Sequence, residues 1–71
     1  MEARKIHLIR EYFKYRYEFA KLHNSETNFR EEPTDNDIAN YSKSFKIIDL
    51  EDKIAAVQLQ IDNTKKRLYK N

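Results

Sequence analysis

The sequence predicts an all-α fold, a helical hairpin of two long helices with a short middle helix. Three observations lead there. The 71 residues contain no glycine and a single proline, which removes the residues that tight hairpin turns between strands require. Two long stretches carry apolar residues at spacings of three and four, the helical period. The polar stretch between them has a helix-start pattern at its centre.

Residues 2 to 23 read as helix 1. Leu8, Tyr12, Tyr15, Phe19 and Leu22 form one apolar stripe, and Ile6, Ile9, Phe13, Tyr17 and Ala20 form another. At about 100° per residue the stripe centres lie roughly 140° apart. A helix packed on one neighbour needs one stripe, so helix 1 is expected to have two neighbours.

Residues 24 to 44 form the acidic part of the chain, a polar loop followed by a short helix over about 35 to 43. Glu26, Glu31, Glu32, Asp35 and Asp37 face only Arg30 and Lys43 in charge count. Thr34 is placed to cap the short helix, with Asp37 at its third position completing a capping box. It carries Ile38 and Tyr41 on one side, and Ile38, Tyr41, Phe45 and Ile48 form a stripe that runs on past it.

Residues 45 to 69 read as helix 2. Ile47, Leu50, Ile54, Val57, Ile61, Thr64 and Leu68 alternate three and four apart, a heptad seam. This seam is out of phase with the preceding stripe, so a break is expected between Ser44 and Asp49, with Asp49 capping the restart and Asp52 at its third position. The seam fits packing on helix 1 in an antiparallel hairpin, bridged by a linker of roughly 20 residues. It also fits a parallel coiled-coil dimer in which Lys46 pairs with Glu51. Two hairpins joined as a four-helix bundle combine both arrangements. The whole chain, 1 to 71, is expected to be one helical domain.

Composition narrows the function. With no cysteine, disulfides, zinc–thiolate sites and thiol nucleophiles are absent. His7 and His23 have no metal-ligand spacing, and Asp35-Asn36-Asp37 lacks the glycine and distal glutamate of a calcium loop. No glycine-rich loop cradles a phosphate, and no serine sits in a nucleophile motif. The expectation is therefore a non-enzyme with no cofactor, metal or small-molecule substrate. The charged first ten residues argue against a signal peptide or membrane span, so a cytoplasmic protein is expected. Charged residues are 37% of the chain with a net charge of +2, too mixed in sign for a general nucleic-acid binder.

What remains is binding. Aromatics crowd helix 1, and such residues are frequent interface anchors. The candidate contact residues for a protein partner are Phe13 and Tyr17, with the acidic Glu31, Glu32, Asp35 and Asp37. Tyr17 lies at the edge of its stripe, beside the charged face. A second reading is a nucleic-acid accessory using Arg10, Lys14 and Lys21 of helix 1 and Lys65, Lys66 and Arg67 near the C-terminus. Its competing explanations are helix ion pairs among Glu11, Lys14, Glu18 and Lys21, and positive charge suited to the C-terminal end of helix 2. A third reading is a structural coiled-coil oligomerisation module, with a homodimer expected.

Residues 9 to 15, IREYFKY, and residues 48 to 54, IDLEDKI, resemble the N-terminal helical part of phage and prophage transcription regulators of the ArpU kind. The resemblance covers about two thirds of the chain, through amphipathic-helix patterns. It implies a C-terminal helix-turn-helix like a sigma-factor domain, for which this sequence leaves no room after helix 2. What the resemblance implies is a phage or mobile-element origin and a regulatory, host-takeover or anti-defence role. It transfers no functional residue.

Overall fold

A computed structural model of the chain describes residues 2–23 and 30–68. Among them are three helices and no strand: α1 (Ala3–Leu22), α2 (Asp35–Ser44) and α3 (Ile47–Leu68). The all-α architecture of two long helices and a short middle one is as the sequence predicts. Residues 24–29, which include Glu26 of the expected loop, lie outside the described residues, as do the expected last residue of helix 2, residue 69, and Lys70.

Each boundary has a local cause. Glycine-free, α1 ends with His23 at φ −96°, ψ 3°, its N–H donating to the Phe19 carbonyl. The predicted capping box opens α2. Asp37 N donates to Thr34 Oγ1 over 3.2 Å, and Thr34 N donates to Asp37 Oδ2 over 3.1 Å. Phe45 turns extended at φ −131°, ψ 144° and ends α2. The chain restarts at once. Lys46 N donates to Asp49 Oδ2 over 3.0 Å, and Leu50 N donates to the Lys46 carbonyl. The expected break is therefore a two-residue link, but Asp49 occupies the third position of α3 rather than its cap. Asp52 lies exposed one turn further on.

The long helices run parallel, where an antiparallel pairing was expected. Arg4 reaches Glu51 near the start of both helices, and Glu18 reaches Lys65 near the end of both. His23, just past α1, lies 3.4 Å from the Thr64 hydroxyl. The reason is α2. It runs back along α1, placing Tyr41 on Phe13 and the Ser42 carbonyl 2.7 Å from Lys5 Nζ. A link of only two residues then reverses the chain again.

Helix α1 is central and has the two neighbours its stripes call for. Leu8 and Tyr15 border α3, while Phe13 meets α2. Ile9 and Leu50 are fully buried, joined in the core by Leu8, Phe13, Ile38 and Ile54. The rings of Tyr12, Phe13, Tyr41 and Phe45 form a continuous ladder with centroids 5.1 to 6.5 Å apart. Lys53 of α3 closes it, its Nζ 4.6 Å from the Phe45 ring centre. The rings add edge-to-face attraction to the area they bury.

The α3 seam is spent inside the chain. Leu50, Ile54, Val57 and Ile61 are buried, and Glu51 is held by Arg4. The seam and its Lys46–Glu51 pairing are thus not open to a parallel coiled-coil partner. Leu68 remains exposed because α3 extends about one turn past the end of α1. The molecule is elongated, 46 × 23 × 16 Å, and among the described residues nothing covers Ile48 and Leu59 on the outer side of α3.

Candidate protein-binding cleft

The exposed face of α1 is a wedge between its two buried stripes. It carries His7, Arg10, Lys14 and Lys21, with Glu11 and Glu18 between them. Residues 31 and 32, on their way into α2, lie along this wedge. One open depression is lined by His7, Arg10, Glu11, Lys14, Glu31 and Glu32. A second adjoins it, lined by Lys14, Tyr17, Glu18, Lys21 and Glu31. Their volumes are about 290 and 430 Å³. Lys14 and Glu31 belong to both, so the two form one shallow cleft.

The fold brings together groups that the sequence assigns to rival sites. Glu31 and Glu32, expected to engage a protein, share a cleft with Arg10, Lys14 and Lys21, expected to follow a phosphate backbone. The C-terminal basic group touches the cleft only through Lys65, which pairs with Glu18. Lys65 Nζ is held 3.2 Å from Glu18, while Lys66 and Arg67 are exposed.

The other expected contact residues divide. Tyr17 is half-buried at the cleft edge, with Lys21 Nζ 4.9 Å from its ring centre. Asp35 is exposed in the first turn of α2. Asp37 is half-buried, its carboxylate committed to the capping box. Phe13 departs from the expectation. It is 4% exposed and packs in the core on Tyr41, because α2 covers the second stripe of α1. A buried ring on an ordered ladder is not available to a partner.

Two features went unread in the sequence. Tyr41 is the hub of the aromatic ladder, and burial raises its hydroxyl pKa above the ordinary 10.0, with smaller upward pushes from Tyr12 and Asp37 and a downward pull from Arg16. The second is the outer row of α3, where Leu59 is 62% exposed and Ile48, expected in one stripe with Ile38, Tyr41 and Phe45, is 64% exposed because the break before α3 turns it away from them. Their spacing of seven and four through Ala55 is a helical row visible in the sequence, hidden there by the stronger seam.

Among the described residues, no group of three or more His, Cys, Asp or Glu is placed to hold a metal, and no helix is long and apolar enough to cross a membrane. Compared with known proteins, the chain matches no family model, no curated protein and no solved structure.

Proposed function

We propose that this chain is a small helical interaction protein that binds and modulates a protein partner through the cleft between residues 31–32 and α1. The observation that carries the reading is the interleaving of charge. Arg10, Lys14 and Lys21 share their depressions with Glu11, Glu18, Glu31 and Glu32. A polyanion meets four carboxylates there, whereas a protein surface of mixed charge finds complements of both signs. Tyr17 supplies the amphipathic ring that such sites use as an anchor.

The mechanism is steric. A preformed helical face covers part of the partner's surface, and no step of chemistry is needed. The resemblance of residues 9–15 and 48–54 to phage and prophage regulators supports a regulatory, host-takeover or anti-defence setting for that partner.

The test is capture from a nuclease-treated bacterial lysate with wild type beside Tyr17→Ala and a Glu31→Lys/Glu32→Lys double variant. One stoichiometric protein held by wild type and lost from both variants, with helicity unchanged by circular dichroism, is the expected result. Capture indifferent to all three changes overturns the cleft. Retention of nucleic acid alone from a parallel lysate left without nuclease, weakening steeply with salt, overturns the protein reading.

A further inference from the structure

We infer that the outer face of α3 is an interface for a second copy of this chain, with the two α3 helices antiparallel and Leu59 on the dyad. This inference does not depend on the cleft, which lies on α1.

The face is apolar at its centre, where Leu59 and Ala55 lie, with Asp52 and Lys66 seven residues to either side of Leu59 and Ile48 beyond Asp52. Ile48, Ala55 and Leu59 fall within about 40° of one another on the helix, and with Asp52 and Lys66 the five fall within about 60°. All five are exposed, and among the described residues neither Asp52 nor Lys66 has an ion-pair partner. The core lies on the opposite side of α3, through Leu50, Ile54, Val57 and Ile61. A second helix can therefore lie on this face without disturbing the fold.

Charge selects both direction and register. A parallel pair sets Asp52 on Asp52 and Lys66 on Lys66, which is unfavourable twice over. An antiparallel pair centred to match Ile48 with Leu59 brings the two Asp52 carboxylates to within about 4.5 Å along the axis, again like against like. The antiparallel pair centred on Leu59 avoids both. Asp52 and Lys66 each lie seven residues from Leu59, one on either side, so Asp52 of one copy meets Lys66 of the other at both ends. Leu59 meets its own copy between them. Ala55 and Ala56, small and exposed, let the helices close. With facing helices about 8 to 10 Å apart and backbones of about 2.3 Å radius, the two residues at the dyad come within disulfide reach.

A contact made by one helix from each copy is small, below the roughly 1,200 Å² of standard stable interfaces. The dimer is accordingly reversible and is read at high protein concentration. The chain has no cysteine of its own, so single introduced cysteines report position cleanly. Leu59→Cys is expected to oxidise to a covalent dimer. Asp52→Cys and Lys66→Cys, each about 21 Å from its own copy along the axis, are expected to remain monomeric alone and to cross-link when mixed.

Sedimentation equilibrium supplies the second readout. Asp52→Lys and Lys66→Asp should each weaken the dimer about tenfold, and the double swap should restore it. Leu59→Asp should give a monomer of unchanged helicity, since Leu59 is outside the core. Three outcomes overturn the inference: wild type monomeric at ~1 mM, Asp52→Cys cross-linking on its own, or single charge reversals without effect on the dimer. A monomer that still captures a protein through the α1 cleft would sink this inference alone and leave the function proposed for the cleft standing.

Discussion

Arg4 Nη2 of α1 donates to Glu51 Oε2 of α3 over 2.7 Å, joining the N-terminal parts of the two helices through residues 47 positions apart in the chain. Both side chains are largely exposed, so the pair marks the direction of the helices more than it holds them. Arg4→Glu or Glu51→Arg should cost under about 1 kcal/mol in a urea melt. The double exchange should recover the loss, and the effect should shrink in high salt. A cost of several kcal/mol from either single change would show that the pair does more than an exposed ion pair can.

Phe13 and Tyr17 sit four residues apart on α1 and should behave as opposites. Phe13→Ala empties a core site against Tyr41 and should cost about 3–5 kcal/mol. A domain of this size has a total stability on the order of 4–10 kcal/mol, so this variant should be largely unfolded at moderate temperature. Tyr17→Ala should cost under about 1.5 kcal/mol. Equal losses in thermal melts would contradict the division between core and cleft.

Thr34→Ala removes one half of a reciprocal cap. The expected loss is about 1 kcal/mol, with Thr34→Ser close to wild type. The amide of Asp37 should then exchange with solvent faster, which hydrogen exchange reads directly. No change in that amide would mean the box is not formed in solution.

Tyr41 couples stability to alkaline pH. Its folded pKa lies above the unfolded value because burial opposes the phenolate. The unfolded chain therefore releases this proton first. The contribution is fully present below the ordinary 10.0 and is lost as pH rises toward the folded pKa. Tyr41→Phe should flatten that part of the stability profile relative to wild type. Superimposable alkaline profiles would show that the Tyr41 hydroxyl is not desolvated.

The features legible in the sequence are those set within one or two turns of chain. The Thr34–Asp37 box, the double stripe of α1 and the break after Ser44 each depend on neighbours a few residues away. The direction of α3 did not emerge, because a seam of Leu50, Ile54, Val57 and Ile61 has the same period read either way. The clue was the closeness of the break. A two-residue link reverses the chain, so once α2 lies back along α1, α3 has to run with α1. Phe13 was misplaced for the same reason. Its stripe is visible in the sequence, but the pattern does not say that α2 is the element that covers it. The cleft was half legible, since Arg10, Lys14, Glu31 and Glu32 were all singled out, but only the fold of the segment before α2 sets them side by side.

The parallel course of α1 and α3 also governs the order in which the molecule can be completed during synthesis. The apolar stripes of α1 leave the ribosome first, and the helix that buries one of them is made last, with Arg4 waiting for Glu51 and Glu18 for Lys65. Helix α2 can shelter Phe13 earlier, but Leu8 stays wet until the Leu50 to Ile61 stretch exists. For a helical protein this is an unusually non-local arrangement, of the kind that slows folding and prolongs the exposure of sticky intermediates. The newborn chain, more than the finished one, is the form that exposes the apolar stripes of α1.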